Sequence, residues 1–151
     1  MNKKMILYIL GSILKAEAVL LLLPMIVGVI YGERSSSAFL ITILITLALG
    51  FLMSIKRPKN KTIYAREGFV VVALAWIVMS LTGALPFTIS GAIPSYIDAF
   101  FETVSGFTTT GSTILSEVEA LPKCMLFWRS FTHWIGGMGV LVFVLAIVPL
   151  A

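Results

Sequence analysis

The chain has 151 residues, of which 59% are hydrophobic and 12% are charged, and its mean hydropathy is +1.05. Soluble domains carry about 25% charged residues, so this composition excludes an ordinary soluble domain and indicates a membrane protein. The single cysteine excludes an intrachain disulfide and a multi-cysteine metal site. The net charge of +4 follows the pattern of membrane topology and does not indicate a nucleic-acid partner.

Residues 1–60 predict a leading pair of transmembrane helices. The first apolar segment, residues 5–31, is interrupted by Lys15 and Glu17, and the second, residues 38–55, is 18 residues without a charge. About 20 apolar residues cross a bilayer as a helix. A cleaved signal peptide is the alternative for the N-terminus. The run "VLLLLPMIVGVIY" continues beyond the possible cleavage site, which favours a membrane helix.

Lys15 and Glu17 are the charged residues of the first span. They are two positions apart and therefore do not share a helix face. We expect snorkelling, or burial against a neighbouring helix, in preference to a role in an ion pathway. Pro24 and Pro86 are expected to kink or end their helices, because proline lacks the amide proton of a helical residue.

Residues 61–151 predict one unit of outer helix, pore loop and inner helix. The uncharged run 68–97 places an outer helix over residues 61–91, and the uncharged run 130–151 places an inner helix over residues 122–151. Both runs are long enough to cross a bilayer.

The charge distribution predicts the orientation of the spans. The link between the second and third spans is basic, whereas the stretch between the outer and inner helices is acidic. Because basic loops stay in the cytoplasm, we expect a cytoplasmic N-terminus and an external acidic stretch. The basic residues of the link are Lys56, Arg57, Lys59, Lys61 and Arg66.

Residues 94–106 predict a short pore helix that enters the membrane from outside. Ser95 and Asp98 form a capping pattern after Pro94, and Gly106 is a plausible stop. A helix of about a dozen residues rises only about 18 Å, so it dips into the bilayer without crossing it. Its C-terminus carries a partial negative charge that favours a cation.

Residues 107–113, "FTTTGST", predict a filter segment that returns the chain outward. Threonine favours extended backbone and glycine permits unusual backbone angles, so carbonyl oxygens can line a path for a dehydrated cation. Glu117 and Glu119 would concentrate cations at the outer mouth. A structural re-entrant hairpin with a Thr-rich turn is the alternative interpretation.

The inner helix carries one arginine, Arg129, at the depth expected for Glu102 of the pore helix. A charge there is costly unless it is paired or reaches the headgroups. We expect either a Glu102–Arg129 bridge that braces the pore helix or an arginine that snorkels. His133 is expected to be hydrogen-bonded in the interior. Three glycines should permit close helix packing: Gly136, Gly137 and Gly139.

The segments "REGFVVVALAW", "DAFFETVSGFTTTGST", "LFWRS" and "HWIGGMGVLVFVLAIVPL" resemble the TrkH/TrkG type of potassium uptake protein in the Trk/Ktr/HKT superfamily. In that family two leading helices precede four repeats of helix, pore loop and helix, which together form one filter. The chain resembles the leading pair and the first repeat. The resemblance therefore implies an all-α integral membrane protein of potassium-channel-like fold.

The resemblance also implies roles for the filter residues. Thr109 and Thr110 match positions whose backbone carbonyls bind K⁺, and Thr108 and Ser112 flank them. Gly111 matches the filter glycine, which goes with a preference for potassium, whereas a serine there goes with sodium in plant relatives.

We therefore expect a part of a potassium uptake system, a symporter or gated channel-like protein of the bacterial inner membrane, and not an enzyme. K⁺ is the expected transported ion, with no organic cofactor. The family implies a homodimer and a cytoplasmic, TrkA-like nucleotide-binding regulatory subunit. Because one repeat supplies a quarter of a filter, the other three repeats are expected on the same longer chain. The alternatives are a homotetrameric channel and a membrane scaffold whose hairpin does not conduct.

Overall fold

The protein is described here by a computed structural model, which covers residues 3–56, 59 and 64–147, and the side chains of these residues except 118, 140 and 143–147. Part of the predicted basic link (Arg57 and Lys61) and the end of the predicted inner helix (residues 148–151) lie outside the described residues. The described chain is helical: α1 Lys3–Leu20, α2 Leu22–Ile30, α3 Ser36–Ser54, α4 Ala65–Gly83, α5 Leu85–Ile89, α6 Tyr96–Phe107 and α7 Lys123–Ile147, with a 3₁₀ turn at Val118–Ala120.

Three stretches of the described chain are long and apolar enough to cross a membrane: Lys3–Ile30, Ser36–Ser54 and Ala65–Ile89. Helix α7 has 25 residues, which at 1.5 Å per residue gives a length of about 37 Å. Helix α6 has 12 residues and is about 18 Å long. The architecture is therefore a leading helix pair followed by a unit of outer helix, half-length pore helix and inner helix.

The first and third of these stretches are each interrupted a few residues before a proline, in agreement with the predicted effect of Pro24 and Pro86. In the first, α1 ends at Leu20 and α2 begins at Leu22. The predicted outer helix over residues 61–91 is not continuous: α4 ends at Gly83, and α5 follows it after a turn at Ala84. Pro86 explains this second break, since its ring removes one hydrogen bond and crowds the carbonyl four residues earlier. Residues 61–63 lie outside the described part.

The leading pair packs tightly because glycines face each other across it. A Cβ atom placed on Gly11 of α1 would lie 2.7 Å from the carbonyl oxygen of Gly50 on α3, so only a residue without a side chain fits this crossing. At the other end of the pair, Gly28 lies against Ser36 and Cys124. The pair therefore contacts the start of the inner helix α7.

Helix α7 begins under the carboxylate of Glu33, which lies in the turn between α2 and α3. Glu33 accepts hydrogen bonds from the backbone N–H groups of Lys123 at 2.8 Å and Cys124 at 3.0 Å. A carboxylate is stabilising at this end of a helix because it satisfies free N–H groups and opposes the positive end of the helix dipole. No sequence pattern indicates this contact.

The apolar core lies where the leading pair, α5, α6 and α7 meet. Trp128 of α7 is at its centre, with its ring edge-on to Phe39 and Phe107 at centroid distances of 6.4 and 6.2 Å. Its indole N–H donates to the carbonyl of Gly83 at 2.9 Å, so the core also fixes the break in the outer helix. The largest fully buried apolar side chains are those of Trp128, Phe39, Phe87, Phe107, Leu14, Leu21 and Met125.

Candidate ion-filter site

The pore helix α6 begins and ends differently from the prediction. It starts at Tyr96, and Ser95 has extended backbone but makes no capping hydrogen bond with its side chain. Ser95 is therefore the N-cap residue that the capping pattern predicts, but the capping hydrogen bond of its side chain is not formed. The helix ends at Phe107, one residue beyond Gly106, because its last carbonyls are satisfied by the threonines that follow.

The helix ends in a Schellman motif that places a threonine where glycine is usual. The N–H of Thr110 donates to the carbonyl of Ser105 at 2.9 Å, and the N–H of Thr109 donates to that of Gly106 at 3.0 Å. This pattern requires a left-handed residue at Thr109, whose φ is +56°. A β-branched residue in this region is strained, and such strain is concentrated at functional sites.

The filter segment, residues 107–113, then runs away from α6 with free carbonyl groups. Among the residues that the structure describes, no hydrogen bond is donated to the carbonyl oxygens of Thr109, Thr110 or Gly111. The side chains of residues 108–113 are exposed in this chain. Gly111 has φ +83°, and a Cβ atom there would meet no other atom within 4 Å. Backbone angle, not lack of space, therefore requires glycine at this position.

The threonine hydroxyls are used to hold the turn. Thr108 Oγ1 lies 2.7 Å from the carbonyl of Val104 and 2.7 Å from Thr110 Oγ1, and Thr109 Oγ1 donates to the carbonyl of Thr108. Ser105 Oγ donates to the carbonyl of Ser112 at 2.6 Å. These bonds fix the turn and leave the carbonyl oxygens of Thr109, Thr110 and Gly111 without a donor among the described residues.

The side chain of Glu102 connects the pore helix to two other parts of the chain, the end of the filter segment and the inner helix. Its Oε1 accepts from the hydroxyl of Thr113 and, at 2.6 Å, from the N–H of Ile114. Its Oε2 accepts from Nε of Arg129 at 3.1 Å. Glu102 is only 3% exposed. The predicted pair thus lies together, and the carboxylate also anchors the end of the filter segment, which the sequence analysis did not foresee.

The carbonyl of Phe107, at the start of the filter segment, is held from two sides. The indole N–H of Trp76 on α4 donates to it at 3.0 Å. A Cβ atom placed on Gly136 of α7 would lie 1.9 Å from the same oxygen, so the pore helix rests directly on the backbone of the inner helix. Gly136 is one of the three glycines predicted to permit close helix packing, whereas the contact of Trp76 is not evident from the sequence, because an isolated tryptophan fits a core or an interface equally.

The remaining predicted residues surround this arrangement. Glu117 and Glu119 are exposed and form no ion pair with any other residue in the described ranges, so their charges are available to solvent. His133 Nδ1 lies 2.9 Å from the carbonyl of Arg129. Glu17 is fully buried against α4, and Nζ of Lys15 lies 5.0 Å from the centre of the Phe51 ring.

Comparisons with known proteins give one consistent family. The profile of TrkH, described as a cation transport protein, matches residues 35–151. The chain is 44% identical over 137 residues to an uncharacterized cation transporter of Methanocaldococcus jannaschii, and the match covers 91% of this chain and 29% of that protein. It is 37% identical over 151 residues to the Trk system potassium uptake protein TrkH of Halomonas elongata, with 99% and 31% covered.

A solved structure agrees with these matches. The crystal structure of the potassium transporter TrkH from Vibrio parahaemolyticus superposes with a TM-score of 0.92 at 37% identity, over 99% of this chain and 32% of that one. The chain therefore spans about a third of the length of the relatives that it matches.

Proposed function

We propose, because this chain belongs to the TrkH family of cation transport proteins, that it supplies one of four filter segments of a potassium uptake protein. In this role the backbone carbonyls of Thr109 and Thr110 bind K⁺, and Thr108, Gly111 and Ser112 hold them in place. The observation that carries the proposal is the set of carbonyls at Thr109, Thr110 and Gly111 that accept no hydrogen bond from the described residues. Carbonyl oxygens that are free of donors can replace the water around a dehydrated cation.

The surroundings of the carbonyls support the same role. They follow the C-terminus of α6, where the aligned peptide dipoles favour a positive charge. Glu117 and Glu119 lie a few residues beyond, where exposed carboxylates raise the local cation concentration. The proposed activity is transport and requires no catalytic group.

One segment provides a quarter of a filter, and its exposed side chains at residues 108–113 leave room for others. We propose that three further helix–loop–helix repeats of the same longer polypeptide complete it, as the threefold greater length of the relatives suggests. We also propose a homodimer with a cytoplasmic, TrkA-like nucleotide-binding subunit, located in the cytoplasmic membrane with its N-terminus inside.

The test compares two glycines with the same backbone requirement. Gly111 and Gly91 have φ of +83° and +79°, and a Cβ atom at either would meet nothing within 4 Å. Serine at either position is strained by a similar amount, but only Gly111→Ser would displace the filter carbonyls. We expect Gly111→Ser to lower the ratio of K⁺ to Na⁺ uptake about tenfold, the effect of about 1.4 kcal/mol, and Gly91→Ser to preserve it.

The measurement is K⁺ and Na⁺ uptake by cells that lack their own potassium uptake and express the full-length protein. Equal ratios in both variants, at normal expression, would refute the filter role and favour the scaffold interpretation, in which the turn only packs.

A further inference from the structure

Glu17 is a carboxyl group in the interior of the protein that the proposed filter does not use. It lies on α1, is 0% exposed, and its Oε2 is 2.7 Å from Oγ1 of Thr82 near the end of α4. A Cβ atom placed on the neighbouring Gly83 would be 3.3 Å from Glu17 Oε1 and 2.9 Å from Cγ2 of Thr103 on the pore helix. The carboxyl group therefore lies directly behind the pore helix.

No cationic side chain in the described ranges pairs with this carboxyl group. On α1, Lys15 points to the Phe51 ring, and on α7, Arg129 is bound to Glu102. Helices α2, α3 and α5 contain no charged residue. The other charged or titratable groups of the packed helices are Lys3, Lys4, Tyr8, Arg66, Glu67, Tyr96, Asp98, Glu102, Lys123, Cys124 and His133. Of these, Arg66 and Glu67 lie in the first turn of α4, about 23 Å from Thr82.

A carboxylate in this position would be an isolated buried charge. Burial of an ionised group without a partner costs far more than burial of a neutral one, so such groups either acquire a partner or become neutral. Among the described residues, Oε1 of Glu17 has no hydrogen-bond partner at all. In the described part of the chain, one of the two carboxyl oxygens therefore has a hydrogen-bond partner, and no cation is present to balance a negative charge.

The hydrogen bonds around Thr82 are consistent with a proton on the carboxyl group of Glu17. Oγ1 of Thr82 lies 2.7 Å from Glu17 Oε2 and 3.1 Å from the carbonyl oxygens of both Val78 and Met79. The hydroxyl has one proton, and a helical threonine commonly gives it to the carbonyl three or four residues earlier. Thr82 then has only lone pairs to offer Glu17. A protonated carboxyl group completes this arrangement, because its O–H can donate to Thr82.

We propose that Glu17 and Thr82 form a buried proton-binding site in which Glu17 is a neutral carboxylic acid that donates to Thr82. The proton belongs to the folded state and allows α1 to pack behind the pore helix without a charge. The competing occupant is a small monovalent cation held by an ionised Glu17. Thr46 Oγ1 makes this alternative worth testing, because it is buried without a partner in the described part of the chain, on α3, which packs against α1.

Infrared spectroscopy of the purified full-length protein in lipid vesicles at neutral pH tests the site directly. A protonated carboxyl group has a carbonyl stretching band distinct from the bands of a carboxylate. We expect this band in the wild type and its loss in Glu17→Gln. Glu102→Gln is the matched control: it removes a carboxylate paired with Arg129 and should leave the band in place.

Thr82→Val provides a second measurement, because it removes the acceptor and keeps the shape of the side chain. We expect the band to remain but to shift in frequency. Thr82→Val also tests the proposal if the Glu17→Gln variant does not fold. The proposal is overturned if Glu17→Gln removes only carboxylate bands, if Thr82→Val leaves the acid band unshifted, or if replacing K⁺ by Na⁺ in the buffer moves carboxylate bands that depend on Glu17.

Discussion

At the scale of single residues, Thr109 combines strain with a proposed function. It is the only residue other than glycine in the described ranges with a positive φ, and it occupies the position at which helices usually end with glycine. Its left-handed backbone turns the chain out of α6 and points the following carbonyls away from the helix. The threonine side chain adds a hydrogen bond to the carbonyl of Thr108, and its methyl group faces Gly137 of the inner helix at 3.8 Å from the Cβ position.

Replacement of this threonine should therefore stabilise the protein. The left-handed conformation costs an L-residue about 1–2 kcal/mol. Glycine avoids this cost, but it also makes the unfolded chain more flexible, which offsets part of the gain in stability. We expect Thr109→Gly to raise the midpoint of thermal unfolding in detergent and Thr110→Gly, which relieves no positive φ, to lower it. A lower midpoint for Thr109→Gly than for Thr110→Gly would show that the side-chain contacts outweigh the strain.

The side chain of Glu102 connects α6 to the chain after the filter segment and to α7. One of its oxygens binds the chain after the filter segment and the other binds Arg129. An acceptor oxygen is needed for the first contact because the N–H of Ile114 donates to it, and a negative charge is needed for the second because Arg129 is a cation. A simple ion pair would tolerate exchange of its two members, whereas this arrangement does not.

Exchange of the two residues should accordingly fail. We expect Arg129→Gln to cost about 3 kcal/mol, because it leaves a buried charge without its partner. The double variant Glu102→Arg, Arg129→Glu should be no more stable than Arg129→Gln, since an arginine at position 102 cannot accept the hydrogen bond from the N–H of Ile114. Thermal unfolding of the single and double variants measures this. A double variant as stable as the wild type would mean that only the ion pair matters.

At the scale of helices, the position of the filter segment depends on one crossing of α6 over α7. Phe107 lies at the end of α6 and fits against Gly136, where a methyl group would come within 1.9 Å of its carbonyl oxygen. Both helices are fixed elsewhere: α7 by Glu33 at its first turn and by Trp128 in the core, and α6 by Trp76. Neither helix can therefore move away freely to admit a side chain.

Two adjacent glycines of α7 allow this crossing to be tested. Gly136→Ala should destabilise the protein by about 1–3 kcal/mol, the usual cost of overpacking, and should reduce uptake. Gly137→Ala places its methyl group 3.8 Å from the nearest atom, and the better helix propensity of alanine should make it neutral or slightly stabilising. Thermal unfolding and K⁺ uptake of both variants give the comparison. Equal effects would show that helix flexibility, and not contact with Phe107, explains the glycines.

At the scale of the whole molecule, the charges predict which ends of the helices face the cytoplasm. The basic link and the acidic stretch between α6 and α7 are at opposite ends of the spans. Since basic loops remain inside, we expect the outer mouth of the proposed filter to face out of the cell. The contact of Glu33 with the start of α7 lies at this same outer end.

Cysteine labelling of intact cells tests this orientation. Cys124, the one cysteine of these 151 residues, is 0% exposed and should react little, and the protein without an introduced cysteine serves as the blank. A membrane-impermeant maleimide should label Glu119→Cys from outside, because Glu119 is exposed between α6 and α7. It should label Lys59→Cys only after the cells are permeabilised. The reverse pattern would contradict the orientation and, with it, the direction of entry through the filter.

The sequence by itself determined the membrane-crossing segments, the half-length pore helix and the turn at Gly111. Each of these depends on local physical chemistry: the length of a long apolar run, the short length of the helical pattern before Gly106, and the backbone freedom of glycine. The pattern at Ser95 and Asp98 likewise predicted the N-cap residue of α6, but it did not determine whether the side chain of Ser95 forms a hydrogen bond there, and none is formed.

Only the tertiary structure decided which distant groups meet. Glu33 and Lys123 are 90 positions apart, Glu17 and Thr82 are 65 apart, and Trp76 and Phe107 are 31 apart. A buried polar group must find a partner, but the periodicity of a helix shows only which face it lies on. Its partner is set by which helices pack together and at what height, and these are settled by the whole core at once.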